Sequence, residues 1–96
     1  MTPKEVLIAS KALIDTPEKW CKYHSSLSYR LCANTALNRV PIPGGAYKAG
    51  HIRGGARWFL ADNCDGFIES FNDHPDTTHA DIMALYDRAI EAAGES

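Results

Sequence analysis

Ninety-six residues, 45% apolar and 23% charged with a net charge of −2, describe one ordinary globular domain spanning 1–96 and exclude disordered, fibrous and strongly basic classes. No apolar run approaches the ~20 residues of a membrane span, and Met1-Thr2-Pro3-Lys4-Glu5 lacks the basic cluster and apolar stretch of a signal peptide. Cysteines at 21, 32 and 64 form no CxxC pair and fit a reducing compartment, so the expectation is a cytoplasmic protein with no membrane partner.

Thr2-Pro3-Lys4-Glu5 combines a cap hydroxyl, proline at the first helical position and a carboxylate three residues after the cap, which predicts a helix to about residue 15. Val6, Leu7, Ile8, Ala9, Ala12, Leu13 and Ile14 cover more than one stripe of it. This helix is therefore expected to be buried broadly or contacted on two sides, which leaves both monomer and homodimer open. Thr16-Pro17-Glu18-Lys19 repeats the Thr-Pro device and predicts a helical turn ahead of Trp20, whose area and indole N–H suit a core anchor. The polar, Ser-rich stretch 23–28 reads as a connection.

Tyr29, Cys32, Ala33, Ala36, Leu37 and Val40 repeat at helical spacing and predict a one-faced helix capped by Ser28, with Cys32 on its apolar face. Alternation at Leu27, Tyr29 and Leu31 makes a short strand the competing reading. Pro41-Ile42-Pro43-Gly44-Gly45 ends that helix, and Gly50, Gly54 and Gly55 predict an irregular loop of about fourteen residues. Tyr47, Lys48, His51 and Arg53 fall on it and, with Arg57, form the candidate partner-binding set. From Ala56 to Phe71 the helical period resumes, with Leu60, Cys64, Phe67, Ile68 and Phe71 on one face. Gly66 inside it points to a neighbouring helix packed close.

The stretch Phe71-Asn72-Asp73-His74-Pro75-Asp76-Thr77-Thr78-His79-Ala80-Asp81 must reverse the chain and start the last helix. Asn72, Asp73 and Pro75 suit a turn, and Thr78 with Asp81 has capping-box spacing. The last helix is expected from His79 to about residue 93, burying Ile82, Leu85, Tyr86, Ala89 and Ala93, with Gly94 as its stop. Four helices make the fold class all-α, a small irregular bundle with a long Gly/Pro-rich loop before the third helix.

Two polar constellations are candidates for chemistry. Cys32, Asn72, Asp73, His74 and His79, with Asp76 and Asp81 nearby, offer thiol, imidazole and carboxylate groups for a small hydrolytic or metal-binding module. Cys21-x-x-His24 with Cys32 and either Cys64 or His51 would make a zinc set. Neither spacing matches an HExxH, calcium-loop or paired-cysteine signature, so no metal and no cofactor are expected. A turn and a helix cap account for nearly every residue of 71–81, and a thiol on an apolar helix face is normally inert. No GxSxG elbow or glycine-rich phosphate cradle is present, so no catalytic residue is assigned.

Charge carries the strongest functional hint. From Lys19 to Arg57 there are seven basic residues and no acidic one; from Asp62 to the end there are nine acidic residues against Arg88 alone. The basic block can meet phosphate, the acidic block a basic protein surface, or the two can neutralise each other within the fold. A pI near 6.0 and the lack of a known binding motif weigh against nucleic acid. Tyr47 and Trp58 could stack on bases, although Trp58 serves a core equally well.

Trp20, the Cys32-Ala33-x-x-Ala36-Leu37 segment, Phe71-Asn72-Asp73, Thr78-His79-Ala80-Asp81 and the tail Ala84-Leu85-Tyr86-Asp87-Arg88-Ala89-Ile90 come in an order that resembles a family of small bacterial and phage proteins known only as a domain of unknown function. The resemblance runs from Trp20 to Ile90, with Thr35 where the family usually has glycine and with a Gly-rich loop before Ala56 that the family pattern lacks. It implies a shared fold, draws attention to Cys32, Asn72 and Asp73, and implies no reaction. The functional expectation is a non-enzymatic interaction or regulatory protein, of phage or mobile-element type, that binds a protein partner through charged helical surfaces and inhibits a host complex. Nucleic-acid binding through 19–57 and the small metal-binding or hydrolytic module are the alternatives.

Overall fold

The structure, a computed structural model, describes residues 1–22 and 30–94. Five helices lie among them: α1 (Pro3–Leu13), α2 (Ala33–Arg39), α3 (Ala46–Asp62), α4 (Ile68–Asp73) and α5 (His79–Ala93), with a 3-10 turn at Pro17–Lys19. The all-α class is as expected. The helix capped by Thr2 begins with both halves of its capping box closed: Thr2 N–H donates to Glu5 Oε1 at 2.9 Å, and Glu5 N–H to Thr2 Oγ1 at 3.2 Å. Thr78 and Asp81 close the same box at the start of α5, which Gly94 ends with a positive φ of 57°.

α1, α3 and α5 pack mutually, and α2 bridges α1, α3 and α4. Val6, Leu7 and Ile14, Ala36 and Leu37, Ile52, Ala56 and Leu60, and Ile82, Leu85 and Tyr86 fill the centre. α1 buries one stripe rather than two: Ile8 and Leu13 stay 49% and 39% exposed, and the helix stops at Leu13. Broad burial of this helix is therefore corrected.

Three boundaries differ from the sequence expectation. The expected cap Ser28 and first helical apolar residue Tyr29 lie outside the described residues. α2 starts at Ala33 because Cys32 caps it, its Sγ accepting from Thr35 N–H. Just before it the chain is extended, with Trp20 and Leu31 forming an isolated parallel bridge, Cys21 N–H donating to Leu31 C=O and Leu31 N–H to Lys19 C=O. Competition from this pairing over Leu31 is what shortens the helix.

The expected fourteen-residue loop is mostly helix. α3 begins at Ala46, leaving 41–45 as the connection, and it contains Gly50, Gly54 and Gly55. Burial of Ile52, Ala56 and Leu60, one turn apart, outweighs a glycine cost of up to ~1 kcal/mol per residue. The close helix approach expected at Gly66 occurs instead at Gly55, where a Cβ would stand 3.2 Å from Pro3 Cγ of α1. Gly66 makes a turn: Asp65 and Gly66 have φ of +60° and +92°, and they separate α3 from α4 where one continuous helix was expected. That turn carries Phe67 outward, 70% exposed rather than buried.

Candidate functional site

Asn72, near the end of α4, is 1% exposed and joins three distant parts of the chain. Its Oδ1 accepts from Trp20 Nε1–H at 2.7 Å and from Ala33 N–H at 3.0 Å. Its Nδ2 donates to Cys21 C=O at 3.1 Å and to Asp73 Oδ1 at 2.9 Å. The amide therefore satisfies the first turn of α2 and the extended segment after the 3-10 turn together. Trp20 is half-buried at the rim of the core, tied by this bond and lying against the His79 ring at 6.0 Å between centroids.

The polar chain continues inward. Tyr86 O–H donates to Ala33 C=O at 3.2 Å and meets Ser10 Oγ at 2.6 Å, all in the interior. With Tyr86 donating to the carbonyl, Ser10 is the donor to its hydroxyl oxygen. Burial pushes the Tyr86 hydroxyl well above its ordinary titration range, so it stays protonated. Every buried side-chain nitrogen and oxygen among the described residues has a partner.

Of the candidate polar residues, Cys32, Asn72 and Asp73 do come together. They line, with Asn34, Thr35 and Glu69, a crevice of about 90 Å³ between α2 and α4. Cys32 Sγ lies 3.1 Å from Thr35 Oγ1. The charged side chains that line the crevice with this thiol are Glu69 and Asp73, whereas activated thiols sit among cationic groups. His74 and His79 are elsewhere. His74 Nδ1 accepts from Asp76 N–H at 3.1 Å within its own turn, and His79 Nε2–H donates to Ile14 C=O at 2.7 Å, tying α5 to the end of α1. No group of three or more metal-ligating side chains forms among the described residues; Cys32 caps α2, His51 stands on exposed α3, Cys64 is buried, and His24 lies outside the described residues. Burial, aided by the Asp65 carboxylate, raises the Cys64 thiol above its ordinary titration range.

The partner-binding candidates divide. Tyr47, Lys48 and His51 are exposed on the first half of α3, Tyr47 at 92%. Arg53 and Arg57 are half-buried and bind α2: Arg53 Nη1 donates to Leu37 C=O at 2.6 Å, and Arg57 to the side-chain oxygens of Asn34 and Asn38. Tyr47 and Trp58, named together as possible stacking residues, share one face of α3 with His51 and Gly54, and the spacing 47, 51, 54, 58 is a helical stripe that the sequence reading did not include. It was missed because the glycines read as loop.

Ion pairs among the described residues are Lys11 to Asp87 and Lys19 to Asp15, neither of which joins the basic block to the acidic one. Lys22 instead donates to His74 C=O and Pro75 C=O, and Arg30 to Glu18 C=O.

No helix among the described residues is long and apolar enough to cross a membrane. No curated protein and no solved structure matches the chain. A family model does match it over residues 1–92, nearly the whole length, and the chain belongs to that family, the family of unknown function DUF6197.

Proposed function

We propose that this chain is a non-enzymatic interaction protein whose acidic part, from α4 through α5, docks onto a basic surface of a protein partner and regulates it. One observation carries the reading: no ion pair among the described residues joins the basic block to the acidic one. Lys22, Arg30, Arg53 and Arg57 are engaged by uncharged oxygens, while the exposed carboxylates of Asp65, Asp76 and Glu91 have no hydrogen bond or ion pair among the described residues. Surface carboxylates concentrated in one part of a chain raise the encounter rate with a basic partner and select its orientation.

The polar groups that most resemble chemistry are accounted for by folding. Asn72 is fully engaged as a joint, Cys32 is a cap, and His74 and His79 hold backbone groups. Inhibition of the complex that the chain joins is one form such regulation takes.

The test is affinity capture from a bacterial lysate with and without nuclease, comparing the wild type with an Asp76→Lys/Glu91→Lys variant. A protein retained after nuclease, released by salt and lost in the charge-reversed variant supports the reading. Capture that disappears with nuclease would move it to nucleic acid, and capture indifferent to charge reversal would refute the acidic surface.

A further inference from the structure

α3 carries an outward face that the fold does not use. Ile52, Ala56 and Leu60 point to the core, so at ~100° per residue Tyr47, His51, Gly54 and Trp58 run along the opposite side, which ends at Ala61, half-buried against the rim of the core. Tyr47 is 92% and Trp58 60% exposed. Gly50 and Gly54 lie inside the helix with nothing within 4 Å of the position a Cβ would take. Packing within the chain therefore explains neither glycine, although glycine weakens a helix. Exposed aromatics and bare glycines share one face.

We infer that this face is the two-fold contact of a homodimer, in which α3 crosses α3 of a second copy in antiparallel sense at Gly54. The order of side-chain sizes selects that occupant. Around a two-fold axis at Gly54, residues equally far before and after it face each other, so Trp58 lies over Gly50 of the second copy and Tyr47 over its Ala61. Each large side chain meets a small one, and the backbones approach most closely at a residue without a side chain.

Two further features agree. Beside Ala61 lies a groove of about 300 Å³ whose walls include Arg57, Gly66, Phe67, Asn34 and Glu69, offering apolar contact to the Tyr47 ring and polar groups to its hydroxyl. Lys48 and Asp62, both exposed and with no side-chain hydrogen bond or ion pair among the described residues, stand near opposite ends of α3 and are brought to the same end of the crossing by the antiparallel arrangement, which also sets the two helix dipoles in opposition. A foreign helix or a nucleic acid would not require this match of large to small within one chain. The inference does not rest on the acidic docking surface: Tyr47, Gly50, Gly54 and Trp58 all lie on α3, outside α4 and α5.

Analytical ultracentrifugation of the full chain over a concentration series tests it. The wild type is expected at twice 10.6 kDa, and the Tyr47→Ala/Trp58→Ala variant is expected to dissociate at least tenfold more readily with unchanged helical circular dichroism. Gly54→Cys, mildly oxidised, is expected to give a covalent dimer above the wild-type background of its three cysteines, while Ala84→Cys on exposed α5 does not. A wild type monomeric at all concentrations, a dimer indifferent to the double aromatic change, or Ala84→Cys cross-linking as well as Gly54→Cys overturns the inference. So does a monomer whose Trp58 fluorescence responds to a single-stranded oligonucleotide, which would assign the face to nucleic acid.

Discussion

Replacing Asn72 by alanine removes the side chain that joins α4, the first turn of α2 and the segment at Trp20 and Cys21. Ala33 N–H is buried and loses its acceptor, a loss of ~1–3 kcal/mol. Trp20 Nε1–H and Cys21 C=O are partly reached by water, so each adds about 0.5–1 kcal/mol. The sum is about 2–5 kcal/mol, a large share of the ~5–15 kcal/mol that stabilises a typical domain. Urea unfolding followed by far-UV circular dichroism measures it, and the melting temperature is expected to fall by ~10 °C or more. Asn72→Asp separates the donor from the acceptor role: it can still accept from Trp20 and Ala33, cannot donate to Cys21 C=O while ionised, and places a second carboxylate against Asp73. Burial and Asp73 both oppose ionisation there, so the folded form of this variant holds its proton more tightly than the unfolded one. Its deficit is then smallest at acid pH and grows as pH rises through the carboxylate range. A loss under about 1 kcal/mol for Asn72→Ala, or additivity with Trp20→Phe in a double-mutant cycle, would refute Asn72 as the joint.

Tyr86 gives an alkaline signature. Its hydroxyl titrates higher in the folded chain than in the unfolded one, so the stability is intact below the unfolded value of ~10 and is lost above it, by up to ~1.4 kcal/mol per pH unit; Tyr86→Phe should lack that slope in urea titrations, while losing about 1–3 kcal/mol at neutral pH from the unpaired Ala33 C=O. Glycines of opposite role should respond oppositely. Gly50→Ala, in open space within the single chain, is expected to raise the stability of the dissociated monomer by up to ~1 kcal/mol, whereas Gly66→Ala, at a φ of +92°, should lower it by ~1–2 kcal/mol, both read by thermal melts at concentrations below dimer formation. Thr78→Ala opens the capping box of α5 and should cost ~1 kcal/mol, with the loss of hydrogen-exchange protection concentrated in the first turn of that helix.

What the sequence determined by itself is short-range. The capping boxes at Thr2 and Thr78, the proline starts and the stop at Gly94 each involve groups within four residues, so their hydrogen bonds can be written from spacing alone. The all-α class followed from those ends together with helical apolar spacing. Clustering of Asn72 and Asp73 with Cys32 was legible only as three positions of note, without the reason they meet.

Tertiary structure decided everything that depended on competition between distant groups. Glycines 50, 54 and 55 argue for a loop when only local propensity is weighed, yet burial of Ile52, Ala56 and Leu60 against α1 and α5 makes the segment helix and turns an expected loop into an exposed helical face. The start of α2 moved because Leu31 found backbone partners at Lys19 and Cys21, and Asn72 became a joint because Trp20, 52 residues away, and Ala33, 39 away, reached the same amide oxygen. A local rule sees only neighbours along the chain, whereas these choices are set by which groups the fold leaves unpaired or uncovered elsewhere.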